Sequence, residues 1–228
     1  MVNALKGRIG AALAALACVA LTAAAQSGLP LDRIKLPPGF VIETVARVSN
    51  ARAMTWGDRG TLFVGSTSAG KVYAVTLAET GATVRVIASD LREPAGVAFR
   101  NGALYVSAIS RILRYDDIEN RLDNPPAPVV VSEAFPTDRH HGRKFIAFGP
   151  DGKLYVPVGA PCNICTPDPG RYTIITRMHP DGGGLEIVAR GVRNSVGFAW
   201  HPAPASCGSR TMGAMNWATT FRRTNSIA

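Results

Sequence analysis

The sequence predicts an all-β chain built as a β-propeller, and three observations carry that expectation. One hairpin phrase recurs four times, each complete copy is followed by a further strand-like piece, and no stretch carries the apolar period of a long helix. The copies are ARAMTWGDRGTLFVG from Ala51, EPAGVAFRNGALYVS from Glu93, GRKFIAFGPDGKLYVP from Gly142 and RNSVGFAWHP from Arg193, the last stopping midway.

In the three complete copies an aromatic residue (Trp56, Phe99, Phe148) leads through a glycine-containing turn to a Leu-aromatic-Val strand at Leu62, Leu104 and Leu154. Alternating apolar residues on both sides of such a turn are a hairpin signature. The pieces that follow, 71–75, 111–115 and 173–178, predict a third strand per unit. The joining stretches match as well, since Val86 to Phe99 resembles Glu186 to Trp200. Leucine anchors 42 and 50 residues apart suit four-stranded sheets repeated around an axis. A β-sandwich and an open solenoid are the competing architectures, and recurrence of whole hairpin-plus-strand units favours radial blades. The interval from Ser107 to His141 contains Asn124-Pro125-Pro126-Ala127-Pro128, which predicts a surface excursion near a blade edge.

Composition narrows the function classes. With 228 residues and 46% of them hydrophobic, the chain has material for a substantial core, which excludes disorder throughout. The net charge of +9 is unevenly placed: Lys6, Arg8, Arg210, Arg222 and Arg223 fall in terminal stretches without an acid, so residues 26–202 hold 20 basic against 16 acidic residues, a net of +4. That excess, with no Lys/Arg stripe interleaved with aromatics, argues against a nucleic-acid partner.

Residues 1–25 read as a secretory signal peptide: Lys6 and Arg8 precede an apolar run of 17 residues from Ile9 that ends in Ala23-Ala24-Ala25. The run is short and alanine-rich for a membrane span, so no stable span is expected after cleavage. An uncleaved anchor and lipidation at Cys18 are the alternatives. Export places the protein in the periplasm or outside the cell, an oxidising setting in which Cys162-Asn163-Ile164-Cys165 is expected to form a local disulfide. No histidine follows Cys165 to support haem attachment, and no second cysteine pair completes a zinc site. A redox-active pair is the minor alternative, because the surrounding Pro161, Pro167 and Pro169 leave no helical start to lower a thiol pKa.

LPPGFVIETVA at Leu36, HHGRKFIAFGPDGKLYVPVGAPCNIC at His140 and ARGVRNSVGFAWHP at Ala189 together resemble the glucose/sorbosone dehydrogenase family, especially its L-sorbosone-dehydrogenase-like members. The likeness runs from about residue 36 to 202. It implies a six-bladed propeller, of which about three and a half blades fall within residues 26–202. It also implies pyrroloquinoline quinone (PQQ), usually with calcium, as cofactor, and a small-molecule sugar or aldehyde as substrate. His141, eight residues before Gly149, falls on the family's catalytic histidine and by resemblance is the general base. An imidazole suits that task because its ordinary pKa lets it accept a hydroxyl proton near neutral pH. His140, if the segment is extended, points the opposite way and is the weaker candidate.

Arg193 and Asn194 stand where the family places an Arg-Asn pair facing the cofactor. A guanidinium there can fork onto a carboxylate or quinone oxygen while the amide donates to another. Lys144 reads as a solvated lysine rather than an anion contact. Phe145 stands where the soluble glucose-oxidising branch commonly has Arg, and Ala160-Pro161 where that branch has an acidic residue, so the departures favour the sorbosone-like branch.

After Pro202 the resemblance stops. Read one base earlier, with permitted codons, Pro204 through Ile227 can encode TGELWFTDNGRDELGDDVPPDELN, which completes the fourth hairpin and continues into the family's acidic region. Residues 203–228 therefore read as a frame-shifted tail. Calcium and further quinone contacts are expected in the displaced region, so no metal ligand is assigned here. The literal product is expected to fold poorly and to have little or no dehydrogenase activity.

The function expected of the intact form is PQQ-dependent oxidation of an aldose or sugar-derived aldehyde by hydride transfer to quinone, with electrons passed to an external acceptor. The alternative is a noncatalytic propeller that binds carbohydrate or protein. A hydrolytic propeller is disfavoured, because residues 26–202 lack a convincing cluster of metal-facing carboxylates.

Overall fold

A computed structural model of the chain describes residues 29–79, 81–200 and 207–211. The expected signal peptide, and the expected frame-shifted tail apart from 207–211, lie outside the described residues. Two compact units divide the chain, Met1–Glu43 and Thr44–Ala228. In the first, residues 29–43 contain a 3-10 turn at Leu31–Arg33 and no strand.

The second unit is all-β. Its first sheet comprises β1 (Ala51–Trp56), β2 (Thr61–Ser66), β3 (Val72–Ala78) and β4 (Gly81–Ala88); its second, β5 (Gly96–Arg100), β6 (Ala103–Ala108), β7 (Arg111–Tyr115) and β8 (Val129–Ser132). A third contains β9 (Ala147–Phe148), β10 (Leu154–Val158), β11 (Ile174–Met178) and β12 (Glu186–Arg190), and β13 (Ser195–Trp200) pairs with β14 (Cys207–Thr211). Strands follow one another in chain order within every sheet, and all pairings are antiparallel. The three four-stranded sheets coincide with the three complete repeats.

Local chemistry explains the hairpins. β5 and β6 are joined by Asn101-Gly102, both with positive φ (50° and 77°), the backbone that a two-residue hairpin loop needs to match the twist of its strands. The Leu-aromatic-Val strands β6 and β10 are buried at every position, as expected of strands with a neighbour on both edges and a sheet over both faces. Pro157 is tolerated inside β10 because β9 is short: β9 pairs only with Leu154 and Tyr155, which leaves the edge beside Pro157 without a ladder bond to lose.

Consecutive sheets pack face to face. Phe63, Val72 and Ala74 of the first meet Val97, Leu104, Val106 and Leu113 of the second. Tyr105 and Ile112 of the second meet Leu154, Val156, Ile174 and Met178 of the third. Tyr155 and Ile175 of the third meet Phe198 of β13, with Tyr155 and Trp200 edge to face at 5.0 Å. The strand that opens each sheet lies closest to its counterparts, β1 beside β5 and β5 beside β9. A series of sheets stacked this way, with first strands converging, is propeller-like.

Candidate functional site

The segment ahead of β9 leaves the sheet to build a turn. Gly142 N–H donates to the Arg139 carbonyl at 3.0 Å, so His140 and His141 occupy the two central positions. His141 has φ +48°, a left-handed conformation that non-glycine residues seldom adopt. An extended segment would have sent the two histidines to opposite sides; the turn instead brings their rings to 4.1 Å between centroids, and both line one cavity. The condition under which the two rings would diverge, an extended segment, is therefore not met.

Three side chains hold the turn in place. The Tyr172 hydroxyl donates to Asp138 Oδ2 at 2.8 Å, and Lys144 Nζ donates to the Gly142 carbonyl at 2.8 Å. Glu93 takes Arg139 Nη2 at 3.0 Å on one carboxylate oxygen and Arg143 Nε at 2.9 Å on the other. Lys144 is not the solvated lysine the sequence suggested: it is 1% exposed, and burial pushes its pKa down to about 8 against the opposing charge of Asp138. It lies over the Phe135 ring at 5.8 Å and supports the turn from within the protein, away from the cavity.

The next segment, 159–163, organises the sequence-predicted residues. His141 Nδ1 lies 2.9 Å from the Ala160 carbonyl oxygen. A carbonyl can only accept, so Nδ1 carries the proton and the lone pair of the neutral ring is on Nε2. Burial lowers the His141 pKa below its ordinary 6.5, the Ala160 hydrogen bond partly opposes this, and the charges of His140 and Arg193 lower it further. The resting imidazole at neutral pH is therefore unprotonated.

Ala160 N–H also donates to the Arg193 carbonyl at 2.8 Å, which fixes the approach to β13 against the same segment. Cys162 and Cys165 form the expected disulfide, with Cα atoms 6.1 Å apart. The loop it closes offers backbone oxygens to the guanidinium: Arg193 Nη2 donates to Cys162 O at 3.0 Å and to Asn163 O. The Asn163 side chain reaches His140 Nε2 at 3.0 Å. Gly159 lets the parts meet, since a Cβ there would stand 2.6 Å from His141 Cβ and 2.9 Å from both His141 O and Asn194 Oδ1. His141, Arg193 and Asn194, separated by about 50 residues in sequence, thus line one open cavity of about 860 Å³.

The cavity lies at the entrances of the converging strands β1, β5 and β13 and at the turn before β9. Arg52, Arg139, Arg143 and Arg193 contribute four guanidinium groups to its wall, and among the described residues no carboxylate lines it. Counting Glu93 behind Arg139 and Arg143 still leaves a net of three positive charges, held by two ion pairs and by neutral carbonyls. Such a site fits a planar anion rich in carboxylates, and PQQ is a tricarboxylated quinone. Among the described residues no group of three or more His, Cys, Asp or Glu side chains could hold a metal ion, and the four arginines disfavour a divalent cation at this wall.

Sequence reasoning missed Glu93, Arg52, Arg139, Arg143 and Asn163. A signal for the first was present in the repeat. Counting back from the inner-strand aromatics Trp56, Phe99, Phe148 and Trp200, the sixth residue is Asn50, Glu93, Gly142 or Asn194, and the seventh is Ser49, Arg92, His141 or Arg193. The position that carries Asn194 in the fourth unit carries Glu93 in the second, one residue after the position shared by His141 and Arg193. Arg139 and Asn163 lie outside the repeated phrase and Arg143 near the start of its third copy, and only the fold brings the three to the cavity.

No family model matches the chain. An uncharacterized protein of Borreliella burgdorferi is 26% identical over 181 residues, covering 74% of this chain and 46% of that protein. Among solved structures, the PQQ-bound aldose sugar dehydrogenase of Streptomyces coelicolor superposes with a TM-score of 0.61 at 24% identity, covering 76% of this chain and 60% of that one. The PQQ domain of pyranose dehydrogenase from Coprinopsis cinerea gives 0.62 at 15% identity, covering 77% and 48%. The chain spans about half the length of the curated relative it matches. Among the described residues no helix is long and apolar enough to cross a membrane. At these identities the likeness establishes architecture: the chain has an all-β, propeller-like fold.

Proposed function

We propose that the cavity is the quinone and substrate site of a periplasmic or secreted PQQ-dependent dehydrogenase, in the sorbosone-like branch of the glucose/sorbosone dehydrogenase family, that oxidises an aldose or sugar-derived aldehyde. The observation that carries this reading is the state of His141. Its Nδ1–H is committed to Ala160, its pKa is held below the ordinary value, and it lines a cavity walled by arginines. PQQ, when bound, supplies the hydride-accepting carbonyl, and an external acceptor takes the electrons onward.

The chain's own residues supply the rest. His141 Nε2 accepts the hydroxyl proton of a lactol or gem-diol, which raises electron density on the carbon that loses hydride. The new charge on the ring is accommodated through the Ala160 carbonyl at Nδ1. Arg193, held by the disulfide loop, presents a fixed positive charge, and Asn194 offers an amide beside it. Arg52, Arg139 and Arg143 draw carboxylates into the cavity. Calcium enters no step assigned to these residues.

The reading extends to the six-bladed ring implied by the sequence resemblance, with the 228-residue product itself turning over little or no substrate. The share of matched proteins the chain spans, 46% of the curated relative and 60% of the Streptomyces coelicolor enzyme, supports that part. The test compares the 228-residue product with a frame-restored version in which the alternative reading of codons 203–228 is expressed, both given PQQ and calcium. Aldose- or aldehyde-dependent dye reduction by the restored protein, lost in His141→Ala, is expected. Saturable sugar binding without dye reduction would instead make it a noncatalytic carbohydrate-binding propeller.

A further inference from the structure

We propose that Glu93 is the positioning residue of this site: its buried carboxylate clasps both ends of the His140–His141 turn and balances the guanidinium charge around His141. The inference rests on the reading of His141 as proton acceptor.

The geometry is that of a staple. Arg139 and Arg143 flank the turn that carries the two histidines, and Glu93 uses one oxygen for each, at 3.0 and 2.9 Å. The carboxylate is 9% exposed, whereas the arginine side chains are 70% and 51% exposed, so the buried end of each pair is the acid. Burial alone would resist ionisation of Glu93, but hydrogen bonds and charge from Arg139 and Arg143 outweigh it and hold its pKa below the usual value. An ionised carboxylate at that depth is a fixed anchor, while two free arginines on a surface turn would be mobile.

The backbone argues in the same direction. Glu93 has φ +49°, the same uncommon region as His141 at +48°. Conformations of that kind persist where the surroundings over-determine them. Here the strain is opposed from both sides, since Ala53 N–H and Ser66 N–H donate to the carbonyls of Ala95 and Pro94 that follow Glu93. The repeat assigns the position a role at the cavity mouth, because Glu93 occupies in the second unit the place Asn194 occupies in the fourth.

The electrostatic consequence is specific. His140 and the flanking Arg139 and Arg143 share the turn with His141, while Arg193 ahead of β13 and Arg52 on β1 face the same cavity. Asp138 is engaged by Tyr172, and Lys144 lies beneath the turn. Glu93 is the acid bonded to any of these cavity arginines among the described residues. Removing its charge leaves two guanidinium groups unbalanced, which disfavours the imidazolium; removing an arginine leaves excess negative charge, which favours it.

The test is a proton NMR titration of the His141 ring in the frame-restored protein without cofactor, the resonance being identified by its loss in His141→Gln. Glu93→Gln is expected to lower the His141 midpoint by about half a pH unit, Arg139→Gln and Arg143→Gln to raise it by a similar amount, and Glu93→Asp to restore it in part. Unchanged midpoints in variants that melt like the parent would overturn the proposal. Should Glu93→Gln fail to fold, the two exposed arginine variants decide alone: a rise in both supports the clasp, and no movement defeats it. Shifted midpoints without dye reduction by the frame-restored protein would leave the clasp standing and remove the redox reading. Dye reduction with immobile midpoints would do the reverse.

Discussion

The ring nitrogen Nδ1 of His141 sits 2.9 Å from the carbonyl oxygen of Ala160, so a backbone group just past the end of β10 dictates which nitrogen of the proposed base is free to react. A backbone acceptor cannot be lost by substitution of its side chain, and it fixes ring orientation as well as tautomer. Asn194 meets the same segment across Gly159, and Arg193 meets it through its own carbonyl. The residues drawn from two distant repeats are thus registered on one short stretch of chain.

The pH dependence follows from the lowered pKa of His141. The unprotonated ring is the competent form, so activity of the frame-restored enzyme is expected to rise along an acid limb with its midpoint below 6.5 and to level off above it. Stability has the same sign: just below 6.5 the unfolded chain binds the proton that the folded chain refuses, so folding weakens as pH falls through that window. Dye-reduction rates across pH 4.5–8, roughly the range in which histidine titrates, check the first statement. An acid limb centred above 6.5 would contradict the assignment.

Gly159→Ala tests the close approach. The added methyl would lie 2.6 Å from His141 Cβ and 2.9 Å from the His141 carbonyl, neither of which is the end of a flexible side chain. Relief requires the turn or the strand end to move, at a cost of about 1–3 kcal/mol. Thermal melting is expected to fall accordingly, and the His141 NMR resonance to shift.

Reduction of the Cys162–Cys165 disulfide is expected to weaken PQQ binding by about tenfold, because the loop whose carbonyls hold Arg193 and whose Asn163 holds His140 loses its closure. A Cys162→Ser/Cys165→Ser variant should reproduce the effect and be indifferent to reductant. Fluorescence titration of PQQ with and without dithiothreitol makes the comparison.

Lys144 gives a stability signature at the alkaline end. Its pKa falls from 10.5 to about 8 on folding, so between those values the unfolded chain holds the proton more tightly and stability rises with pH, by about 3 kcal/mol across the window. Lys144→Met should abolish that slope. Urea unfolding at pH 8 and pH 10, roughly the ends of the window, compares the two proteins.

Much of the architecture was legible because burial writes itself into strands. β2, β6 and β10 carry the Leu-aromatic-Val signature, and each is almost wholly buried. The outer strands β4, β8 and β12 were not identified as separate elements: most of their residues are exposed or half-buried, so their sequences are under weak apolar constraint. Of the site, His141, Arg193 and Asn194 were legible because a repeated phrase and a family resemblance marked them. The placing of His140 was not legible, because the alternation rule holds only for an extended chain and the left-handed backbone of His141 breaks it. Glu93 was marked only by its place in the repeat, and its pairing with Arg139 and Arg143 depends on contacts spanning 46 and 50 residues, which no local pattern encodes.

The most direct measurement is an equilibrium titration of PQQ into the frame-restored protein at two salt concentrations, repeated with Arg193→Gln. The account predicts saturable binding of one quinone per chain, weakened about tenfold by the substitution and weakened again by salt, as charge-dominated recognition of a carboxylated ligand requires. Absence of saturable binding, or binding that neither Arg193→Gln nor salt alters, would contradict it.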